Sequence, residues 1–185
     1  MRKTLFTLSI ATAGAALIAT GAVAGGKNPM VGGAAMYPNK TIVANAVNSR
    51  DHTTLVAAVT AAGLVDTLNG KGPFTVFAPT NAAFAKLPAG TVDTLVKPEN
   101  KGTLTSILTY HVVPGKMSAA SLAAKAKANR GKAVLTTVQG EKLTVSKGPR
   151  GWMLTDAKGG TSNITIADVN QSNGVIHVID TVVMP

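Results

Sequence analysis

Residues 72–84 read GPFTVFAPTNAAF. The segment combines a Gly-Pro pair that interrupts secondary structure, a predicted strand and a predicted capped helix. The Gly-Pro pair ends the preceding element, and the alternating residues FTVF predict a short strand. Thr80 is placed to cap a short helix that runs through Phe84. The aromatic side chains of the strand and the helix are expected to converge, so this segment predicts a strand-turn-helix unit in the core.

The periodicity of the chain changes between its first and second parts. Between Thr41 and His111 the apolar residues recur mainly at helical spacing, and Gly63 stands where the end of a helix favours glycine. Beyond Lys132 the apolar runs are short and strand-like, and turn sequences such as QG, GPRG and SNG separate them. Helices followed by antiparallel strands predict one α+β domain, with helices packed on one side or end of a sheet system.

Two further segments resemble known conserved boxes. Residues 110–115 read YHVVPG, and residues 173–185 read NGVIHVIDTVVMP. Together with residues 72–84, and in the same order, they resemble the three boxes of the fasciclin domain family. The similarity covers the chain from Lys40 to Pro185.

This resemblance implies both a fold and a role. The implied fold is a single fasciclin-like domain at residues 41–185, a wedge of two β-sheets with a layer of helices. Members of the family are exported or surface-held modules of adhesion and matrix interaction. The resemblance therefore implies a binding or adhesion module.

The first residues predict export. Arg2 and Lys3 precede an apolar run, and the sequence AVA at residues 22–24 matches the pattern read by signal peptidase, so residues 1–24 are predicted to be a signal peptide. The run is too short for a confident membrane span, and no transmembrane span is expected after cleavage. Residues 25–40 contain Gly-Gly and two prolines and are expected to form a flexible leader. These features predict that the protein is secreted or periplasmic.

The composition excludes several kinds of site and favours one kind of partner. The chain has no cysteine, which excludes disulfides, thiol catalysis and cysteine-ligated metal sites. Removal of residues 1–24 leaves 16 Lys and Arg against 8 Asp and Glu, and this excess favours anionic neighbours such as polysaccharide, lipid headgroups or acidic proteins. Nucleic acid is a poor candidate because the protein is exported and few aromatic residues lie among the basic ones.

The basic residues concentrate in one segment. Residues 116–132 carry five positive charges and no acidic residue, and their Ala-rich part predicts a surface helix with Leu122 as its one large apolar residue. We expect an anion-attracting surface for matrix polysaccharide or membrane. Its predicted members are Lys116, Lys125, Lys127, Arg130 and Lys132.

The resemblance also implies candidate partner-contact residues. In animal relatives the Tyr-His box is implicated in integrin binding, and in this chain it contains Tyr110 and His111. An Asp-Ile pair before the terminal box is tied to receptor contact in the same relatives, and Asp168-Val169 occupies its place. The apolar spacing favours another role for His111, which shares a helix face with leucine and isoleucine and is expected to be buried and hydrogen-bonded.

No catalytic, metal or cofactor site is predicted. His177 and Asp180 are of two residue types found in a Ser-His-Asp triad. Residues three apart in a strand, however, point to opposite faces, so their side chains are not expected to meet. The chain lacks a Gly-x-Ser-x-Gly elbow, and its three histidines are isolated in sequence. The prediction is a non-enzymatic exported module that contacts a protein or polysaccharide of the cell surface or matrix. The alternatives are a hydrolase-like enzyme that uses His111 or His177, and a carrier of a small apolar ligand between the sheets.

Overall fold

The computed structural model describes residues 28–185. The predicted signal peptide, residues 1–24, lies outside the described residues. The described helices all begin before residue 120 and are short. They are α1 (Ile42–Ala46), α2 (Thr53–Ala62), α3 (Val65–Asn69), α4 (Asn81–Phe84), α5 (Thr91–Leu95), α6 (Lys101–Tyr110) and α7 (Ala119–Ala128), with 3-10 turns at Arg50–His52 and Pro98–Asn100.

Local sequence explains where several of these helices begin and end. The side chains of Thr41, Thr80 and Ser118 each accept a hydrogen bond of 3.2 Å from the backbone amide three residues later. The cap predicted at Thr80 is therefore confirmed. Helix α2 ends at Gly63, whose φ of 72° is a left-handed conformation that glycine adopts without steric penalty.

The described strands form two sheets. Strands β1 and β2 pair as a small antiparallel sheet, and the other seven form one sheet in the order β4-β3-β9-β8-β7-β6-β5. Within the large sheet β3 and β9 are parallel, and the other neighbours are antiparallel. The strands are β1 (Met30–Val31), β2 (Ala34–Ala35), β3 (Phe74–Pro79), β4 (Val112–Pro114), β5 (Lys132–Thr136), β6 (Lys142–Gly148), β7 (Gly151–Thr155), β8 (Thr161–Gln171) and β9 (Gly174–Ile179).

The large sheet curls because its longest strand changes partners. Residues 161–163 of β8 pair with β7, and residues 164–171 pair with β9, with register shifts along the second part. The two outer strands also approach each other, since the Val138 amide after β5 donates to the Val112 carbonyl in β4 at 2.8 Å. The sheet is therefore close to a barrel.

The first and terminal boxes, residues 72–84 and 173–185, contribute the neighbouring strands β3 and β9 of this sheet. Phe74 pairs with Gly174, and the parallel register continues along the whole of β3. Where this pairing begins, a Cβ on Gly72 would overlap the carbonyl oxygen of Asn173, and a Cβ on Gly174 would overlap that of Phe74. Glycine is required at both positions because no side chain fits between these backbones.

The large sheet separates two hydrophobic cores, because a strand buried on both faces sends alternate side chains to opposite sides. From β3, Val76 and Ala78 enter one core and Phe77 enters the other. We call the first the helical core, and its buried members include Ile42, Leu55, Val59, Val76, Leu104, Ile107, Leu108, Val169, Ile176 and Val178. We call the second the strand core, and its buried members include Phe77, Tyr110, Val113, Leu122, Leu135, Leu143, Val145, Leu154, Ile179 and Val183.

The segment before residue 41 differs from the prediction. Val31 and Met36 are buried in the helical core, and the Arg50 amide donates to the Gly32 carbonyl at 3.2 Å. The β1-β2 hairpin is therefore packed on the domain, and the boundary at residue 41 lies too late. Composition misled here because a Gly-Gly turn between two short strands resembles a flexible linker.

The predicted fold class is confirmed. Residues 28–185 form a single α+β domain with helices and two sheets, and the helices before β3 cover one face of the large sheet. Within these residues no helix combines the length and the apolar character needed to cross a membrane.

Candidate functional site

Tyr110 is the last residue of α6 and is buried in the strand core. Its hydroxyl donates to the Lys142 carbonyl at 2.9 Å and accepts from the Ala157 amide at 3.0 Å. Burial raises the pKa of the Tyr110 hydroxyl, and the bond from Ala157 opposes this shift. The side chain therefore links the end of α6 to β6 and to the turn after β7.

His111 follows α6 and uses both ring nitrogens inside the protein. Its Nδ1 donates to the Ile107 carbonyl at 2.8 Å, and its Nε2 accepts from the Val183 amide at 3.3 Å. Burial lowers the pKa of His111 to about 4, although the Ile107 carbonyl and Asp156 oppose the shift. The ring is neutral at pH 7, and the expected buried, hydrogen-bonded imidazole is what the structure shows.

Asp168 lies at a bulge of β8, with a φ of 57°. Its amide donates to Nδ1 of His177 at 3.3 Å, and its carboxylate accepts from the Ala119 amide at 2.7 Å. A carboxylate at the first residue of α7 is favourable because the amides there lack helical partners. The next residue, Val169, is fully buried in the helical core.

These positions require a correction to the predicted partner contacts. Tyr110, His111 and Val169 are buried, so a partner does not reach their side chains while the domain is folded. Asp168 is partly exposed, but its carboxylate is bonded to α7. The physical reason is the same in each case: these side chains lie between packed elements and hold them together.

His177 on β9 is also fully buried, and its ring stacks on Phe77 with 5.6 Å between the ring centroids. Its Nε2 donates to the Met117 carbonyl at 2.7 Å, and its Nδ1 accepts from the Asp168 amide. Burial lowers the pKa of His177, against the opposing effects of the Met117 carbonyl and Asp168. The imidazole therefore joins β9 to the segment before α7.

The hydrolase alternative requires a histidine with a free ring nitrogen beside an acid. In His111 and His177 both nitrogens are bonded to backbone groups. Asp180 accepts from the amide and the side chain of Asn163 at 2.8 and 2.9 Å, in agreement with the strand alternation that separates it from His177. Across residues 28–185 no group of three or more His, Asp or Glu is placed to hold a metal ion.

The residues of the predicted anion-attracting surface are all exposed. Lys116 precedes α7 and lines an open depression together with Lys71. Of the other four, two lie in the last turn of α7 and two lie beyond its end, and the ten residues of α7 span about 15 Å at the rise of an α-helix. These four, at the end of α7 and the start of β5, are Lys125, Lys127, Arg130 and Lys132.

The helix that carries two of these lysines is fixed to the domain. Leu122 is fully buried and Ala126 nearly so, and both belong to the strand core. In the described part of the chain one ion pair is found, between Lys86 and Asp180 at 4.0 Å, and none of the five predicted residues takes part in it. Their charges are therefore held at the surface without an acidic partner.

A cavity of about 190 Å³ lies in the helical core between α1, α2 and β3. Its walls include Leu55, Val59 and Val76, and the polar residues Ser49 and His52 also line it. The sequence pattern did not single out His52, because an isolated histidine carries no spacing signal. Burial and an unused ring nitrogen, which only the structure shows, distinguish it.

Amide side chains tie the end of β8 and the start of the terminal box to the helices. Asn173 accepts from the Ile42 amide at 3.0 Å and donates to the Leu68 carbonyl at 2.7 Å. Asn45 donates to the side chain of Gln171 on β8. The sequence signal at Asn173 was only that of an Asn-Gly turn, and its two distant partners could not be inferred from it.

Comparison with known proteins agrees with this architecture. A sequence profile of the fasciclin domain matches residues 50–185. The chain is 48% identical over 160 residues to Protein sll1483 of Synechocystis sp., which covers 86% of this chain and 81% of that protein. It is 41% identical over 145 residues to the immunogenic protein MPB70 of Mycobacterium bovis, with 76% and 66% covered. It is 43% identical over 122 residues to the cell surface glycolipoprotein MPB83 of the same species, with 66% and 48% covered.

A solved structure shows the same fold. It is a FAS1 domain pair from the insect cell adhesion molecule fasciclin I, with a TM-score of 0.70 and 20% identity, covering 80% of this chain and 52% of that one. The structure is that of an α+β domain in which side chains from the three boxes connect the strands and helices. The chain belongs to the fasciclin domain family, and proteins similar to it include a cell surface glycolipoprotein and a cell adhesion molecule.

Proposed function

We propose that this protein is an exported, non-enzymatic binding module that contacts an anionic polysaccharide of the cell surface or matrix. Contact is made through residues 116–158, which we call the basic segment. The observation that carries the proposal is an uneven distribution of charge: the basic segment has nine cationic and two acidic residues, whereas residues 41–115 have five and four. A face of one sign attracts polyanions and accelerates their encounter with the protein.

The packing of the basic segment supports this role. Leu122 is buried in the strand core, and Asp168 accepts a hydrogen bond from the first residue of α7. The lysines of the last turn of α7 are therefore displayed from a helix that is anchored at its N-terminus and along one side. A fixed array of charges loses less conformational freedom on binding than charges on a loose segment.

Export and surface location are supported by the predicted signal peptide at residues 1–24 and by the relatives. MPB83 is named a cell surface glycolipoprotein, and the FAS1 domain pair comes from a cell adhesion molecule. The proposed location is secreted or periplasmic. A non-enzymatic role is supported by His111 and His177, because their ring nitrogens are occupied by the backbone.

The test compares two sets of three cationic residues whose neutralisation changes the net charge equally. At about 50 mM salt, neutralising three lysines of the basic segment should weaken binding to heparin, a sulfated polysaccharide, about tenfold, at roughly 0.5 kcal/mol for each exposed cation. Surface plasmon resonance on immobilised heparin, with uncharged dextran as the reference, measures this change. The basic-segment variant carries Lys125→Gln, Lys127→Gln and Lys132→Gln, and the control carries Arg50→Gln, Lys97→Gln and Lys101→Gln, which are also exposed.

The control set should bind within about twofold of the unchanged protein, since its residues lie outside the basic segment. Equal losses in the two variants would show that only the net charge matters and would contradict the proposed surface. Binding that does not weaken as salt rises would contradict an electrostatic contact altogether.

A further inference from the structure

The cavity in the helical core has the size and chemistry of a small-molecule site. Its volume is about 190 Å³, and none of the described residues that line it carries a formal charge at pH 7. A protein cavity of about 150 Å³ with aliphatic and aromatic walls takes up benzene. The cavity between α1, α2 and β3 therefore has room for one aromatic ring with a small substituent.

One polar group in the cavity wall has an unused bonding position. His52 is 3% exposed, and its Nδ1 lies 2.9 Å from Oγ of Ser49. Its Nε2 is buried and has no hydrogen-bond partner of good geometry among residues 28–185, and the carbonyl of Ala78 lies near the ring. A buried polar atom without a partner destabilises the fold, so a ligand that bonds to Nε2 removes a penalty as it binds.

The protonation state and hydrogen-bonding of the His52 ring determine which ligand group can bond to Nε2. Burial lowers the pKa of His52, while the Ala78 carbonyl and Asp51 oppose the shift, so the ring is neutral at pH 7. The Ser49 hydroxyl can either donate to Nδ1 or accept from it, so Nε2 is free to be the acceptor or the donor. A hydroxyl group satisfies either form, whereas a charged group would lose its hydration in this apolar space.

The cavity is open to the surface. Val47, at the end of α1, and Val138, after β5, both line the cavity and are 54% and 46% exposed. A ligand therefore has a route to the cavity in the folded protein. Both residues are aliphatic, so the route favours an apolar molecule.

We infer that the helical core contains a binding site for a small uncharged aromatic alcohol of the phenol type. The aromatic ring occupies the cavity between α1, α2 and β3, and the hydroxyl bonds to Nε2 of His52. None of the cationic residues of the basic segment lines this site, to which the segment contributes Val138. The domain therefore holds a small ligand in one core and displays its charged surface over the other.

The first test compares p-cresol with toluene, two molecules that differ only in the hydroxyl. Isothermal titration calorimetry of the unchanged protein should show saturable binding of both, with p-cresol about fivefold tighter because of one additional hydrogen bond. In the variant His52→Leu the preference should vanish while toluene still binds. The comparison in the unchanged protein needs no variant and decides the matter if His52→Leu does not fold.

The second test locates the ligand. Met36 lines the cavity, whereas Met117 and Met153 do not, so the methionine methyl resonances provide an internal control. Addition of p-cresol should shift the Met36 methyl signal and leave the other two unchanged. Ala46→Leu, which fills the cavity from α1, should abolish the shift, and the exposed Ala57→Leu on α2 should preserve it.

The inference is overturned if neither probe binds saturably, or if toluene binds as tightly as p-cresol. It is equally overturned if binding survives unchanged in Ala46→Leu, or if the signals of Met36, Met117 and Met153 move together. Loss of heparin binding in the lysine variants has no bearing on these outcomes, so the two proposals can fail separately.

Discussion

The helical core and the strand core share strands β3 and β9, which send side chains into both, but the two cores are filled differently. The helical core is closed by several short helices, contains a cavity of about 190 Å³ and includes a histidine with an unused nitrogen. The strand core is closed by β5 to β8 and α7, and Leu143, Val145 and Leu154 have no exposed surface. Regularly spaced strands bring side chains into register, whereas short helices joined by loops meet the sheet at uneven spacing and leave room.

The two cores also lie under different surfaces. The basic segment supplies α7 and strands β5 to β7, which enclose the strand core, and it has an excess of seven positive charges. Residues 41–115, which supply most of the helical core, have an excess of one. The comparison shows that one small domain can contain two cores of different character. The strand core is tightly packed and lies under a charged surface, whereas the helical core is looser and has space for a ligand.

The largest expected effect tests the difference in filling directly. Leu154→Ala in the strand core should lower the free energy of unfolding by about 4–5 kcal/mol, near the upper end of the range for buried leucines. Leu55→Ala, at the cavity wall, should cost about 3 kcal/mol, because Leu55 already has fewer neighbours on the cavity side. Urea unfolding of the two variants measures the difference. A loss at Leu55 equal to that at Leu154 would contradict the looser packing.

A slightly smaller effect concerns His111, which lines the cavity and also bonds to Val183 of the strand core. The pKa of His111 is lowered from 6.5 to about 4, so between these pH values the unfolded chain binds a proton that the folded chain does not. Stability therefore rises with pH in this window and is lost as pH falls from about 6.5 towards 4. The contribution of His111 is about 3 kcal/mol.

Urea unfolding at about pH 7 and about pH 4.5 should show this loss, and it should be smaller by most of that amount in His111→Gln. The lowered pKa values of His52 and His177 act in the same direction and remain in the variant. An identical pH dependence in the unchanged protein and in His111→Gln would show that His111 is not held neutral by the fold.

The smallest effect tests the link between α6 and the strands. Tyr110→Phe removes the hydroxyl that bonds to Lys142 and Ala157, and it should cost about 1–3 kcal/mol because two backbone groups lose their partner. Tyr37→Phe is the matched control, since Tyr37 is 44% exposed. Thermal unfolding compares the two variants. A shift at Tyr110 no larger than that at Tyr37 would show that the link is unimportant.

Some of this molecule could be predicted from local sequence. The strand and cap at residues 74–84, the end of α2 at Gly63 and the alternation that separates His177 from Asp180 follow from rules that act over a few residues. The hairpin at Met30–Ala35 was mistaken for part of a flexible leader, because turns and linkers have similar composition.

The candidate sites were less predictable. Exposure of the lysines followed from their charge, but the distance between Lys116 and the other four depends on the course of α7. The partner-contact residues came from resemblance, and their burial depends on which elements cover Tyr110, His111 and Val169. The cavity has no local signal, because its walls come from segments as far apart in the chain as Val31 and Ile176.

By itself the sequence determined the α+β class, the change from mainly helical to strand-like segments along the chain, the lack of cysteine chemistry and the concentration of positive charge between residues 116 and 158. The tertiary structure alone decided which histidine nitrogens are occupied, which box residues are buried and where the helical core leaves space. The physical reason is range. Capping and alternation act between near neighbours in the chain, whereas burial and hydrogen-bond satisfaction depend on elements that meet only when the sheet has closed.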